Sequence, residues 1–105
     1  MKAKFIYGTL FACALALGGA QATPDANSVT IKNFSFGQPI TVAAGSTVTW
    51  HNADGEPHTV VSADGLFRSA ALDTGESFSF KFTKAGTFKY VCTIHPRMVS
   101  TVTVK

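Results

Sequence analysis

Cysteine is scarce in this chain: there are two in 105 residues, Cys13 and Cys92. Methionine is equally rare, tryptophan occurs once and histidine three times. Charge is thin as well, at 14% of residues, with no basic stripe and no acidic tail, so nucleic acid is not an expected partner. Beyond residue 22 no run of ten or more residues carries a helical hydrophobic period, which leaves strands as the building material. The length leaves room for one small domain at most.

The first 22 residues do not count toward that domain. Lys2 and Lys4 form a positive n-region, Phe5 to Leu17 is an almost unbroken apolar run, and Ala20-Gln21-Ala22 is an A-x-A cleavage signal. The pattern is that of a secretory signal peptide cut after Ala22, so residues 23–105 form the mature domain, with the periplasm as its expected location. A membrane anchor fits less well, because the apolar run is short for a span and polar sequence follows at once. No membrane insertion is expected after cleavage. Lipoprotein-type processing at Cys13 is opposed by Phe11 and by the apolar residues that continue past the cysteine.

Cleavage removes two of the nine basic residues and none of the six acidic ones, leaving a net charge of +1 in place of +3. It also leaves one cysteine. An exported protein with a lone Cys has no internal disulfide, so Cys92 is unpaired, intermolecular or a metal ligand. A mature chain of 83 residues is near the lower range for a self-sufficient core, and a metal tying distant segments together adds stability by binding the folded state.

Along the mature chain the hydrophobic period is two. Val29 and Ile31 alternate, and Phe34 and Phe36 follow after a break at Asn33. Ile40 to Val42 forms a short second run, and Ser46 to His51 is rich in β-branched residues with Trp50 near its end. Residues 52–57 are a loop by their turn residues, and His58 to Val61 reads as another short strand. Residues 62–75 are irregular, with a short strand or a helical turn both open around Leu66 to Ala71. Glu76 to Thr83 places Phe78, Phe80 and Phe82 on one face; Thr87 to Cys92 and Val99 to Val104 alternate again. Seven or so short strands separated by Gly and Pro turns predict an all-β, two-sheet β-sandwich. Its expected core is Trp50 with Phe34, Phe36, Phe78, Phe80, Phe82 and Phe88.

The chemistry concentrates in Cys92-Thr93-Ile94-His95-Pro96-Arg97-Met98, which sets a thiol, an imidazole and a thioether at three-residue intervals between two strands. Each has a bland reading alone: buried Cys, surface His, core-filling Met. Three of the chain's rarest residue types in one tight loop do not. One thiolate, imidazole and a weakly held thioether suit copper electron transfer and few other metals. A second histidine must complete the set. His58 begins a strand after Pro57, whereas His51 faces away from the core if Trp50 faces in, so His58 is the favoured ligand.

The order His58 … Cys92-x2-His95-x2-Met98 resembles the blue copper proteins, or cupredoxins, and its short Cys-to-Met loop is most like that of amicyanins. The likeness extends over Gly45 to Trp50, Asn52, Pro57-His58, Gly86-Thr87-Phe88-x-Tyr90 and the sulfur-bearing loop. It implies a Greek-key sandwich with one type 1 copper, held by His58, Cys92 and His95 with Met98 as the weak axial ligand. It implies that Asn52 ties the His loop to the Cys loop and donates its backbone N–H to the thiolate, and it puts Thr93 and Ile94 beside the ligands. Ile94 stands where amicyanins often carry Pro, so its N–H is free to reach the Cys92 sulfur. Arg97 replaces an apolar residue and adds a positive charge to the expected docking face of Pro57, Ile94, Pro96 and Arg97, with Leu66 a further candidate.

The function so implied is single-electron shuttling by a monomer, not enzymatic catalysis. Its transient partners would be a c-type cytochrome, a dehydrogenase or a reductase. The alternative is a periplasmic copper chaperone built on the same donors. Multicopper oxidases and nitrite reductases need many more histidines than the three present.

Overall fold

In the computed structural model residues 27–105 are described; the expected signal peptide and residues 23–26 lie outside them. Seven strands follow in chain order: β1 (Ser28–Ile31), β2 (Ile40–Val42), β3 (Ser46–Asn52), β4 (Val61–Ser62), β5 (Ser77–Phe82), β6 (Gly86–Val91) and β7 (Val99–Val104). They form two sheets, one in the order β1-β3-β5 and the other β2-β7-β6-β4. Each N-terminal strand pairs in parallel with a later one, Val29 opposite Trp50 and Ile40 opposite Val102. The remaining pairings are antiparallel. The expected all-β Greek-key sandwich is the observed architecture, and no helix occurs among the described residues.

The period-two pattern assigns the faces. In β3, Val48, Trp50 and Asn52 are buried while Thr47 and His51 are exposed. In β7, Ser100, Val102 and Val104 point inward. Gly45 turns the chain into β3 with φ of 94°, a left-handed backbone that glycine adopts without a Cβ penalty. Trp50 is the hub of the core: fully buried, its ring lies 5.5 Å from Phe67, 5.8 Å from Phe78 and 5.4 Å from Tyr90. Phe78, Phe80 and Phe88 are half-buried and pack against this cluster, and Phe82 is inside it.

Phe34 corrects the expected core, being 49% exposed. Lys32 and Ser35 close a tight reversal through mutual backbone hydrogen bonds of 3.1 Å. Between them Asn33 and Phe34 have φ of 54° and 57°. Two successive positive-φ residues are the signature of a type I′ turn, which favours Asn first and Gly second. The turn rotates Phe34 out of the sandwich, and Phe36 takes the inward place, 4.7 Å from Tyr90. A non-glycine residue held there costs of order 1–3 kcal/mol, so something must over-determine it.

The stretch from His58 also differs from the single strand expected. His58 makes an isolated bridge with Leu72, Val61 bridges Arg68, and regular pairing with β6 covers only Val61 and Ser62. Residues 62–75 form no helical turn. They fold back as irregular chain in which side chains take half of each pairing. Ser69 Oγ accepts the Val60 N–H at 2.8 Å while Ser69 N–H donates to Val60 C=O at 2.8 Å. Ser62 Oγ accepts the Phe67 N–H at 2.9 Å while Ser62 N–H donates to Phe67 C=O at 2.9 Å. Phe67 and Leu72 anchor the segment in the core.

Candidate metal centre

β3 and β6 deliver their last residues to the same end of the sandwich. Beyond the Val91–Val99 pair the β6–β7 hairpin opens into residues 92–98. Two bonds shape that loop: Cys92 N–H donates to Met98 C=O at 3.0 Å, and Met98 N–H to His95 C=O at 2.9 Å. The loop therefore curls back and carries His95 over Cys92. Opposite it, His58 is fixed to Leu72 by reciprocal backbone bonds of 3.1 and 2.7 Å. The ligand atoms of His58, Cys92 and His95 all lie within 4.8 Å of one another. Both imidazoles present Nδ1 to the Cys92 sulfur, each at 3.7 Å. His58 and Cys92 are fully buried and His95 is half-buried. Met98 is buried at the loop's far end.

His58 is oriented from behind. Its Nε2 lies 2.9 Å from Asp54 Oδ2, and because an ionised carboxylate only accepts, Nε2 carries the proton and Nδ1 is left for the site. Asp54 also accepts the N–H groups of Phe34 and Asn33. The Phe34 N–H chiefly, then His58, hold its carboxyl below the usual carboxylate range.

The thiol is tuned by the neighbouring loop. Burial alone raises its pKa, but the Thr59 N–H, the two imidazoles and the His95 N–H outweigh that and bring it down to about 6. The Thr59 N–H to Cys92 Sγ distance is 3.4 Å. Thr59 also joins the two ligand loops through its side chain: its Oγ1 accepts the Thr93 N–H at 2.8 Å and lies 2.8 Å from Thr93 Oγ1.

These contacts correct two expectations. Asn52 is fully buried but does not tie the His loop to the Cys loop. As the last residue of β3, its backbone N–H is taken by Glu76 C=O at 2.9 Å. Its amide donates to Glu56 and Leu72 carbonyls, and its Oδ1 accepts the Asp54 N–H. Asn52 thus shapes the His loop against residues 72–76, and Thr59 makes the link. The Ile94 N–H does not bond the thiolate either: the backbone N–H within hydrogen-bond distance of Cys92 Sγ is that of Thr59, at 3.4 Å, and Ile94 points outward, 45% exposed.

On the outer surface Pro57, Ile94, Pro96 and Arg97 are exposed. A shallow depression of about 390 Å³ is lined by Phe34, Ile94, His95, Pro96, Arg97 and Met98. Pro57 lies outside that lining. Leu66 lines a separate recess with Phe80, Phe82 and Phe88. His51 is exposed, its Nδ1 2.9 Å from Ser77 Oγ, and stands apart from the cluster. Sequence reasoning missed Asp54, Thr59 and Phe34. The first two had a signal, one lying four residues before His58 and the other directly after it.

A thiol with lowered pKa, two imidazoles offering the same nitrogen and a buried thioether close by form a donor set that fits copper. Fold and site together define a metal-binding β-sandwich protein. The family model for copper-binding proteins of the plastocyanin/azurin type matches residues 25–105. The chain is 35% identical over 102 residues to amicyanin-alpha of Methylorubrum extorquens, covering 88% of this chain and 86% of that one. Amicyanin of Paracoccus denitrificans is 36% identical over 92 residues, covering 82% and 70%. Among solved structures, an oxidised proline-to-alanine mutant of amicyanin superposes with a TM-score of 0.71 at 32% identity, over 74% of this chain and 80% of that one. A purple cupredoxin from Nitrosopumilus maritimus gives 0.61 at 40% identity, over 64% and 77%. The chain belongs to the copper-binding plastocyanin/azurin family, and its relatives include the amicyanins.

Proposed function

We propose that residues 23–105, exported to the periplasm after loss of residues 1–22, act as a monomeric blue copper electron carrier and not as an enzyme. In this reading His58, Cys92 and His95 hold one copper ion through Nδ1, Sγ and Nδ1, and Met98 is the weak axial donor. The convergence of those three atoms within 4.8 Å is the observation that carries it. Copper supplies the one-electron couple; the chain supplies rigidity. Loop 92–98 is closed by its own backbone bonds, His58 is pinned at Leu72 and Asp54, and Thr59 locks the two loops together. A site held this firmly offers nearly the same geometry to both oxidation states. The Thr59 N–H, 3.4 Å from Sγ, stabilises the thiolate of fully buried Cys92.

Half-buried His95 connects the sulfur to the surface, and its surroundings suit brief docking. Phe34, Ile94 and Pro96 make an apolar rim with Arg97 as its positive charge. A small contact area favours fast exchange of partners such as a c-type cytochrome, a dehydrogenase or a reductase. The test is to add Cu(II) to residues 23–105 and record the visible spectrum. One equivalent should produce an intense thiolate-to-Cu(II) band that Cys92→Ser abolishes. A colourless complex, or a band that survives the substitution, contradicts the assignment.

A further inference from the structure

Asp54 holds three donors on two oxygens. Oδ1 accepts the Asn33 N–H at 3.2 Å; Oδ2 accepts the Phe34 N–H at 2.9 Å and His58 Nε2 at 2.9 Å. The carboxylate therefore grips the left-handed Asn33–Phe34 turn and the buried imidazole at once. That grip explains why a phenylalanine tolerates φ of 57° where glycine is the easier choice. It also explains what the strained turn achieves. The Phe34 ring meets His58 edge-on, with centroids 5.4 Å apart at 86°, and meets His95 in the same manner at 4.9 Å and 82°. Half of Phe34 is in solvent, so burial alone does not set its place; the turn does, and Asp54 sets the turn.

We propose that Asp54 and the Asn33–Phe34 turn form a clasp that positions both imidazoles of the site, Asp54 by fixing the His58 tautomer and Phe34 by bracing His95. The inference rests on the copper reading of the site and adds residues that touch no ligand atom facing the metal. Asp54 places a negative charge behind His58, which favours Cu(II) over Cu(I). Phe34 limits the swing of the half-buried His95 in either state. Supporting groups of this kind carry a measurable share of metal affinity.

The metal-free wild type gives the first test, by nitrogen-15 NMR of the histidine rings. His58 should be the Nε2–H tautomer; a predominant Nδ1–H form overturns the clasp. This measurement needs no copper and no variant, so it is independent of the copper reading, which an absent thiolate-to-copper band in the wild type contradicts instead. With copper, Asp54→Asn should weaken Cu(II) binding about 10- to 100-fold, with a smaller loss for Cu(I), and so raise the reduction potential. Phe34→Ala should keep the His58 tautomer yet release copper to a chelator faster, and Phe34→Tyr should restore the slow release. Circular dichroism verifies that each variant is folded. Folded Asp54→Asn and Phe34→Ala proteins that match the wild type in affinity, potential and release rate overturn the proposal.

Discussion

The two ligand-bearing loops meet through one hydroxyl, which makes Thr59→Val the most informative single change. Valine keeps the shape of the side chain and the backbone N–H that points at Cys92 Sγ, and deletes only Oγ1. The loss removes the acceptor of the Thr93 N–H and the 2.8 Å contact with Thr93 Oγ1. Each hydrogen bond contributes about 0.5–1.5 kcal/mol net. The groups left without their partner, the Thr93 N–H and hydroxyl, belong to an exposed residue, so water recovers part of the loss; ~1.5 kcal/mol is the expected cost. For a domain of 60–100 residues that corresponds to a fall in Tm of about 6–12 °C. The assay is thermal unfolding of the metal-free protein by circular dichroism, because bound copper would mask the loop contribution. The same variant should leave the thiol acidic, since the leading donor to sulfur is the backbone N–H. An unchanged Tm, or a Cys92 pKa back in the ordinary thiol range, refutes this account of the link.

In the metal-free wild type, thiolate absorbance should titrate with a midpoint of about 6 instead of 9.0. A pKa lowered on folding adds stability that is fully present above the ordinary thiol value and is lost as pH falls through the lowered one. Unfolding by denaturant should therefore show stability rising from pH 6 to pH 9 in the wild type and flatter in Cys92→Ser. Trp50→Ala empties the centre of the core at a cost of about 3–5 kcal/mol. Against a total of about 5–15 kcal/mol, a variant that still unfolds near the wild-type temperature contradicts the placement of Trp50 as hub. His51→Ala should leave the copper spectrum unchanged, because His51 faces Ser77 on the exposed side of β3; a bleached site would reopen the choice of histidine.

The strands and their faces were legible because period-two alternation is local, whereas the pairing of β1 with β3 and of β2 with β7 is non-local and was not. Val48, Trp50, Phe82, Val102 and Val104 announce their side of the sheet by spacing alone, and all five are buried. Cys92 and His95 were legible for the same reason, three residues apart on one loop. What escaped depends on long-range partners. Phe34 looks like the next inward residue after Val29 and Ile31, and only a carboxylate twenty residues away holds it in the turn that reverses it. Asn52 sits at a plausible spacing from His58, but its N–H is spent on Glu76 across the neighbouring segment, so the thiolate draws its donor from Thr59. His58 to Val61 has strand composition, yet Ser69 and Leu72 intercept its hydrogen bonds before a regular ladder forms. In each case the residue type was right and the partner decided the role.

A carrier and a copper chaperone built on these donors differ in one behaviour, retention of copper through reduction. The decisive measurement is repeated one-electron reduction and reoxidation of the copper-loaded protein beside a competing Cu(I) chelator, followed by the thiolate-to-Cu(II) absorbance. With His58 pinned by Asp54, Cys92 by Thr59 and His95 by its closed loop, the band should vanish and return in full, cycle after cycle, with one copper per chain retained. Transfer of copper to the chelator at the first reduction contradicts the electron-carrier account.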